Sequence, residues 1–406
     1  MRNHADMTTD TIEQPSIYTL QFWLLCLSSF LFFTSFNMII PELPDYLTKL
    51  GGEDYKGLII SLFTLTAGLS RPFSGKLTDK IGRIPVMVVG VLVTCVCSVL
   101  YPLVATPAAF LLLRFFHGFS TGFKPTGTSA YLADVVPFNR RGEAMGILGF
   151  FGSSGIGAGP VIGSYIAAQT NLDFMFYMSG ALSLLSILIL SGMKETLENP
   201  QRFKLEHLKV GPHEVIDKSA LAPSIVMVLS VTAYGVMLTI IPDFSKYLGI
   251  ENKGIFFLFF TLASTGVRIF AGRASDRHGR VIVLKISTVI LASGLVLVGF
   301  ASNMYLFMAA AVLMGLGAGM NSPTIFAWTV DRCKAESRGK ALATMYIALE
   351  VGIGSGAFGA GWIYANESAR LAYPFWVSAA LCLLAFVYLM VWHHNKKPVT
   401  SWEIRK

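Results

Sequence analysis

Apolar runs of about 20 residues recur along this whole chain, and they constrain its fold more than any other feature. A helix of about 20 residues, rising about 1.5 Å per residue, crosses the roughly 30 Å hydrocarbon core of a bilayer. Charged residues make up only 14% of the 406 residues, too few to cover a water-soluble protein of this length. The runs therefore predict an all-α membrane protein with twelve transmembrane helices. The predicted spans are 18–43, 58–78, 84–105, 107–133, 143–168, 172–193, 221–243, 254–274, 281–301, 303–330, 339–364 and 372–392.

The distribution of basic residues predicts the orientation. The formal net charge is +8, and threading the spans alternately places most Lys and Arg on the side of both termini. Basic loops mark the cytoplasmic side, so we expect a multi-pass protein of the inner (plasma) membrane with both termini in the cytoplasm. The charge then reflects topology and indicates no nucleic-acid partner. The basic residues predicted on the outer side are Lys49, Lys56, Lys246, Lys253 and Arg370.

One segment occurs twice, 197 residues apart. Residues 71–83 and 268–280 share Arg, Phe, Gly, Asp, Gly and Arg at equivalent places. The same spacing relates Lys56-Gly57 to Lys253-Gly254, whereas Glu42 and Asp243 are equivalent at a spacing of 201. A register kept from loop to loop predicts two pseudo-symmetric six-helix bundles in parallel repeat, a transporter architecture that binds substrate between its halves.

The longest internal polar stretch separates the two repeats. We therefore expect an N-terminal bundle at 18–193, a cytoplasmic linker at 194–220 and a C-terminal bundle at 221–392. Cytoplasmic tails at 1–17 and 393–406 complete the predicted organisation.

Ionisable residues inside apolar runs are the sharpest chemical signal, because each costs at least about 2.5–3.5 kcal/mol at the bilayer centre. Glu350, about halfway along the eleventh span, is the first candidate for a proton-carrying group, because burial favours the protonated form of a carboxyl. Arg114 is expected to tune the electric field of the cavity, with His117 one turn away facing the same space. Glu42 and Asp243, near the outer ends of the first and seventh spans, are further candidates for proton coupling, as are Arg114 and His117. The alternatives are a structural ion pair for Glu350, a water-exposed interface for Glu42 and Asp243, and ordinary packing for His117.

Several residues of the inner spans are candidates for a substrate cavity. Aromatic side chains crowd the first and eighth spans, and amides are few, which favours amphipathic or hydrophobic cargo over sugars. The candidates are Asn37, Phe33, Phe36, Tyr234, Asn321 and Lys124.

The residues Gly75 to Arg83 read Gly-x-Leu-x-Asp-x-x-Gly-Arg, and with this segment the chain resembles the major facilitator superfamily. In the fifth span, Gly146, Gly155, Gly159-Pro160 and Gly163 are similar to the motif of its proton-coupled antiporters, drug exporters above all. Ser164 stands at the usual final glycine. The glycines let helices approach closely, and Gly159-Pro160 additionally favours a functional bend. The resemblance covers 18–392 and implies a member of the twelve-helix drug:proton antiporter family.

The resemblance also implies a conformational latch at the cytoplasmic face. We expect Asp79 to dock near Arg338 at the start of the eleventh span, and Asp276 near Arg141 at the start of the fifth, in one state of the transport cycle. A carboxylate at a helix N-terminus gains about 0.3–1 kcal/mol, which suits contacts that form and break. The predicted latch residues are Gly75, Asp79, Gly82, Arg83, Asp134, Gly272, Asp276, Gly279, Arg280 and Asp331.

The leading functional prediction is a proton-coupled antiporter that exports small amphipathic molecules, and not an enzyme. A facilitator or symporter for a polar nutrient such as a sugar or carboxylate remains an alternative, and a non-transporting receptor on the same fold is a second. We expect small-molecule substrate, protons and the lipid bilayer as partners, a monomer, and no cofactor beyond the proton gradient. The five cysteines show no ligand spacing, so no metal site is predicted.

Overall fold

A computed structural model describes residues 18–137, 140–209, 211, 216–333 and 338–395, and within these ranges the chain forms helices and no strand. The predicted tails at 1–17 and beyond 395, and part of the linker, lie outside the described residues. The helices are α1 (Leu20–Ile39), α2 (Leu43–Lys49), α3 (Lys56–Lys80), α4 (Arg83–Leu100), α5 (Pro107–His117), α6 (Phe119–Val135), α7 (Arg141–Gln169), α8 (Leu172–Ser191), α9 (Leu221–Tyr247), α10 (Ile255–His278), α11 (Arg280–Gly299), α12 (Met304–Arg332), α13 (Arg338–Tyr364) and α14 (Tyr373–Asn395).

The apolar helices confirm the prediction of an all-α, multi-pass membrane protein. Among the described residues, nine helices are long and apolar enough to cross a membrane, and α10, bent by 46° near Arg268, makes a tenth. The two remaining predicted spans correspond to α3 and to α5 with α6. Several charged side chains lie along α3, and Gly118 divides the other span into the shorter helices α5 and α6. These two predicted spans are therefore not among the helices that are long and apolar enough to be counted.

Short polar side chains cap the N-termini of several helices. Thr19, Thr106, Asn171 and Asn303 are extended in backbone conformation, and each side-chain oxygen accepts the amide hydrogen of the residue three positions later. Such caps satisfy an amide that has no partner within the helix. These four side chains thereby determine where α1, α5, α8 and α12 begin.

The two repeated segments are mostly helical, which differs from the expectation of polar loops. α3 and α10 continue through Gly75 and Gly272, so these glycines belong to helices and not to turns. Backbone groups at membrane depth must pair within the chain, and the helix therefore extends beyond its last apolar residue. The turns lie at Gly82 and Gly279, whose φ angles of 133° and 89° favour a residue without Cβ.

Helix packing follows the two halves of the sequence. In the first half α1 packs on α7 and α8, and α4 packs on α6 and α8; in the second half α9 packs on α13, and α11 on α12 and α14. The halves meet chiefly through α3 with α13 and α7 with α10. These two helix pairs are equivalent under the repeat, so they frame the space where substrate is expected.

The apolar core is shared at one end of the molecule and divided at the other. At the predicted outer end a single buried cluster includes residues of both halves, such as Leu43 and Phe244. Towards the predicted cytoplasmic end, one cluster around Tyr131 belongs to the first half, and another around Trp328 belongs to the second. The two halves therefore bury apolar surface against each other mainly at the predicted outer end.

Candidate functional site

An ion pair joins the two halves in the middle of the molecule. Nη2 of Arg71 on α3 lies 2.6 Å from Oε1 of Glu350 on α13, and these side chains are 13% and 8% exposed. The guanidinium also lies 4.4 Å from the ring centroid of Tyr346. Withdrawing two charges from water costs several kcal/mol per ion, and the short contact and the aromatic ring offset part of this cost. Glu350 is thus a buried carboxylate whose charge depends on a single cationic partner.

Several cavities are lined by residues of both halves, and two of them contain predicted substrate-cavity residues. The first, about 200 Å³ and here called the Glu350 cavity, has six of the predicted site residues in its wall: Phe33, Phe36, Asn37, Arg114, Tyr234 and Glu350. The second, about 260 Å³ and here called the Arg268 cavity, is lined by Tyr234, Asn321 and Arg268 among others. Tyr234 lines both, and the walls of both are largely apolar. The structure therefore groups most of the predicted cavity residues at the contact between the halves.

Arg114 is buried in the wall of the Glu350 cavity and is held there by contacts within the first half. Its Nε donates to the carbonyl oxygen of Ile59 over 2.9 Å, and its Nη1 donates to the hydroxyl of Tyr101 over 3.3 Å. The ring of Phe63 lies 4.6 Å from the guanidinium carbon. These contacts hold the charge in place beside the cavity, as expected for a residue that sets the local electric field.

Two candidates lie apart from both cavities, in contrast to expectation. His117 is fully buried, and its ring bonds to Tyr101 through Nδ1. Lys124 is fully buried as well, and its Nζ donates to Ser29 and to Thr128. Both side chains point into helix contacts within the first half, because those contacts supply the hydrogen-bond partners that a polar group needs in an apolar core. The alternative of ordinary packing fits His117.

Glu42 and Asp243 take part in ion pairs across the halves at the predicted outer end. Lys56 lies 2.7 Å from Asp243, and Lys253 lies 2.7 Å from Glu42. Asp45 joins both Lys253, at 2.7 Å, and Lys246, at 3.3 Å. We call these six residues the outer ion-pair cluster. Because Lys56 is equivalent to Lys253 and Glu42 to Asp243, the lysine of each half pairs with the acid of the other half.

Further contacts stabilise this outer ion-pair cluster. Ser164 donates a hydrogen bond of 2.8 Å to Glu42, from the place where the antiporter motif usually has a glycine. Burial alone lowers the pKa of Lys253, but the Glu42 and Asp45 carboxylates outweigh burial and leave that pKa raised. The lysine is therefore held in its charged form.

The predicted latch residues form ion pairs within each half. Arg83 lies 3.2 Å from Asp79 and 3.0 Å from Asp134. Arg280 pairs in the same way with Asp276 and Asp331. Asp79 is 72% exposed and so is not docked into a helix start, in contrast to the expected contact near Arg338, whose side chain lies outside the described residues.

The arginine expected opposite Asp276 makes other contacts. Arg141 donates to the carbonyl oxygens of Ala133 and Val136, both in its own half. Asp276 contacts Arg280. The expected contact between Asp276 and Arg141 is therefore not made in this conformation.

The motif glycines of α7 serve close packing. A Cβ at Gly155, Gly159 or Gly163 would come against backbone atoms of α1, whereas Gly146 faces open space. α7 runs without a break through Pro160. Close approach of α1 and α7 accounts for three of these glycines without a bend, which is the alternative interpretation of this motif.

Sequence reasoning missed four basic residues that the structure brings to the contact between the halves. Arg71 and Arg268 were noted only as the first residues of the two repeated segments, at the polar ends of the predicted spans 58–78 and 254–274, and were given no role between the halves. Lys56 and Lys253 were counted only for topology. Their match in the repeat, together with that of Glu42 and Asp243, was a signal of paired charges, but the partners are set by the packing of the halves.

Among the described residues, no group of three His, Cys, Asp or Glu side chains is arranged to hold a metal ion. The site consists of ion pairs, hydroxyls and aromatic rings.

The chain is similar in sequence to a known protein family and to several known proteins. The family model described as "Major Facilitator Superfamily" matches residues 25–267 and 223–406. The quinolone resistance protein NorA of Staphylococcus aureus is 30% identical over 171 residues, which are 42% of this chain and 44% of NorA. The chain thus matches less than half the length of that relative. An uncharacterized MFS-type transporter of Methanocaldococcus jannaschii is 24% identical over 353 residues, 84% of this chain and 90% of the relative.

Two solved structures share the fold. The human organic anion transporter MFSD10 (TETRAN) aligns with a TM-score of 0.70 at 18% identity, over 93% of this chain and 100% of its own. A mutant form of the nucleoside transporter NupG aligns with a TM-score of 0.74 at 13% identity, over 91% of this chain and 99% of its own. At these identities the likeness concerns the fold alone.

Proposed function

Because the chain belongs to the major facilitator superfamily, we propose that it is a secondary active transporter that exports small amphipathic molecules in exchange for protons. The observation that carries this proposal is the buried Arg71–Glu350 ion pair. It joins the two halves and borders a cavity lined by aromatic side chains. The proposed energy source is the proton gradient, with no cofactor.

We assign the architecture of the superfamily to the chain. Twelve spans in two six-helix bundles follow if α3 and the α5–α6 pair also cross the membrane, and their contacts with neighbouring spans support this. The charge distribution supports cytoplasmic termini and an inner (plasma) membrane location. The outer ion-pair cluster then faces the outside.

In this proposal, the conformation described here is closed on the outer side of the membrane. Ion pairs and a shared apolar cluster join the halves at that end. Towards the cytoplasm, the clusters are separate, and the arginine pairs of the repeated segments stay within their halves. Cargo would enter from the cytoplasm and leave once the outer ion-pair cluster separates, which is alternating access around a fixed site.

Glu350 supplies the proton step. In the closed state its carboxylate is neutralised by Arg71. When the outer side opens, a proton from outside binds the carboxylate and releases Arg71, and the neutral acid lets α3 and α13 move apart. Return to the state described here transfers the proton to the cytoplasm and restores the ion pair. One proton thus enters for each cycle that exports cargo. A ligand that binds one conformation more tightly than the other shifts the equilibrium between the two conformations.

The relatives support export of drug-like cargo without defining it. NorA is named for quinolone resistance, and MFSD10 for organic anions, whereas NupG is named as a nucleoside transporter. The largely apolar cavity walls of this chain favour amphipathic compounds over sugars.

Transport in proteoliposomes tests the proposal. With an imposed pH gradient, the wild type should move an amphipathic dye faster than without it, and Glu350→Gln should lose this acceleration while exchanging dye in both directions. Glu367→Gln, at an exposed carboxylate paired with Arg370, is the matched control and should keep the acceleration. Equal rates with and without the gradient in the wild type would indicate a facilitator, and no movement at all would indicate a receptor.

A further inference from the structure

The repeat relates the Arg71–Glu350 ion pair to a second place between the halves. A shift of 197 residues leads from Arg71 to Arg268 and from Glu350 back to Ser153. The structure brings these two equivalents together as well, since Nη1 of Arg268 donates to Oγ of Ser153 over 3.4 Å. One site therefore places a carboxylate opposite its arginine, and the other places a hydroxyl there.

Arg268 keeps its charge without a carboxylate. It forms no ion pair with any residue in the described part of the chain, and the bond to Ser153 is long. Glu143 lines the same groove between α7 and α10, but its carboxylate is bound to Arg140 at 2.9 Å. A charge inside a membrane protein is expected to have a partner of opposite sign.

The aromatic neighbour of the first site is missing from the second. Tyr346 covers the guanidinium of Arg71, and its equivalent beside Arg268 is Gly149. A Cβ at Gly149 would meet no atom within 4 Å, and Gly149 and Ser153 both line the groove that reaches Arg268. The space filled by a carboxylate and a phenol ring at the first site is therefore open at the second.

A buried hydroxyl in the same cavity also lacks a partner. Ser230 lines the Arg268 cavity, is 2% exposed, and has no hydrogen-bond partner for its Oγ among the described residues. Buried polar groups are nearly always paired, so a hydroxyl that faces a cavity without a protein partner is available to a molecule bound there. Phe260, Met314 and Leu349 provide apolar walls around it.

Arg268 is better placed for this role than Arg114, the arginine in the wall of the Glu350 cavity. Arg114 already donates from Nε and Nη1 to protein oxygens and packs on Phe63. Arg268 lines the wall of its cavity, and in the described part of the chain the one side chain to which its guanidinium donates is Ser153. A guanidinium with free donors in an apolar site is suited to a carboxylate, which it can bind through two hydrogen bonds.

We propose that Arg268 binds the anionic group of the cargo, in the place that Glu350 occupies at the equivalent site, so that the cargo is an amphipathic organic anion. This inference rests on the proposed transport function and adds the charge of its substrate. The apolar body of the cargo lies along Phe260 and Leu349, and Ser230 bonds to a polar group of the same molecule. Cargo without an anionic group leaves Arg268 unpaired and binds less tightly.

Equilibrium binding of two matched probes tests this assignment. Pyrenebutyrate is an amphipathic carboxylate, and pyrenebutanol is its neutral counterpart; binding of each to purified protein is followed by pyrene fluorescence. The wild type should prefer the acid by about tenfold or more, the effect of one hydrogen-bonded charge pair. Arg268→Gln should remove that preference, whereas Arg277→Gln, the same charge loss at an exposed site of α10, should retain it.

Ser153→Glu supplies an independent variant. The new carboxylate reproduces the first site, pairs with Arg268 and should abolish the preference for pyrenebutyrate, while Ser153→Gln, of similar volume and no charge, should keep it. Unchanged binding of pyrenebutanol in these variants shows that they fold. A wild type that does not prefer the acid, whether both probes bind or neither does, overturns the inference, as does a preference that survives Arg268→Gln.

Two further questions are tested separately: whether the anion bound at Arg268 is cargo or membrane lipid, and whether transport is coupled to protons. Displacement of pyrenebutyrate by phosphatidylglycerol in neutral-lipid nanodiscs would assign the site to membrane lipid and overturn the inference; no displacement supports cargo. The binding assays use no pH gradient, so they are independent of proton coupling. A preserved preference for the acid without gradient-driven transport would remove only the proposed antiport. Gradient-driven transport without a preference for the acid would remove only this inference.

Discussion

At the scale of single residues, the state of Glu350 depends on which partner neutralises it. A carboxylate in an apolar interior needs either a cation or a proton, and here Arg71 supplies the charge. Since Arg71 and Glu350 belong to different halves, exchanging the cation for a proton removes a contact between the halves. In the proposed mechanism, the residue that takes up the proton is therefore also a residue that holds the closed arrangement.

Removing one member of this pair should cost more stability than removing both. Arg71→Gln leaves a buried carboxylate without a partner and is expected to lower the free energy of unfolding at pH 8 by about 3–5 kcal/mol. Arg71→Gln combined with Glu350→Gln leaves two neutral amides that can bond to each other, and the loss should be smaller. Denaturant unfolding in detergent measures both. An equal or greater loss in the double variant would show that the two side chains do not stabilise each other.

The sequence identified Glu350 but not its partner, for a physical reason. A carboxylate in the middle of an apolar run stands out from its neighbours, because nothing in the local sequence offsets its cost. Arg71 adjoins polar residues that resemble a loop, and only the contact of α3 with α13 reveals what it faces. Lys124 and His117 show the converse, because a charged or polar side chain in an apolar span can also be satisfied within one bundle.

Lys253 should keep the outer ion-pair cluster insensitive to alkaline pH. Its pKa is raised in the closed state, so the stabilisation it provides is complete below the ordinary lysine value of about 10.4 and is lost only as pH rises through the higher value. Spin labels at Thr48 and Tyr247, on opposite halves, report the opening. In the Glu350→Gln background, their distance should be the same at pH 7 and pH 9. A longer distance at pH 9 would mean that another group controls this end.

At the scale of helices, close backbone approach connects the starts of α3 and α10 to the opposite half. Gly254, just before α10, lies against the backbone of α7 at Pro160, and its equivalent Gly57 lies against α13 at Ala357. The lysine beside each glycine reaches the acid of the opposite half. Without a side chain at these positions, the helices come close enough for the outer ion pairs to form.

A methyl group at Gly254 should push the outer ends apart. A Cβ there would overlap backbone atoms of Pro160, which cannot move aside as a side chain can. Gly254→Ala is expected to shift the Thr48–Tyr247 spin-label distance towards longer values. Gly272→Ala is the control, because a Cβ at this α10 position meets open space and alanine favours the helix. The same short distance in both variants would show that the close approach at Gly254 is not required.

The predicted spans match the helices, and at the repeated segments they end two residues before the end of α3 and four before the end of α10. Apolar periodicity shows where a span crosses the bilayer, but α3 and α10 continue as polar helices to Lys80 and His278. Only the glycines of positive φ at the turns, Gly82 and Gly279, mark the true ends. The polar face of each extension is satisfied by ion pairs within its half, which local sequence does not display.

At the scale of the whole molecule, the repeat determines how the two halves close. Each half contributes lysines and acids to the outer end. Two equivalent ion pairs, Lys56–Asp243 and Lys253–Glu42, join the halves there, and Asp45 adds contacts to Lys253 and Lys246. The sequence predicted the repeat and the equivalence of these residues. It did not predict that they pair crosswise, because that depends on how α3 meets α13 and α7 meets α10.

The two equivalent ion pairs should act together. Lys56→Gln removes the pair with Asp243, and Lys253→Gln removes the pairs with Glu42 and Asp45, so we expect partial opening from either change alone. The double variant keeps the Lys246–Asp45 pair but neither of the two equivalent pairs, and it should favour the open outer end. Each substitution removes the partner of a buried acid at a cost of about 3–5 kcal/mol to the closed state. Spin-label distances between Thr48 and Tyr247 measure the populations. Lys49→Gln, at an exposed lysine of the same end, is the control and should leave the distance unchanged.

Infrared difference spectroscopy of the purified protein tests the central claim most directly, namely that Glu350 is the group that takes up the proton. Acidification of the wild type should produce the carbonyl band of a protonated carboxylic acid in an apolar environment. We predict that this band is absent in Glu350→Gln and present in Glu367→Gln. A band that persists unchanged in Glu350→Gln, or one that never forms in the wild type, would contradict the account.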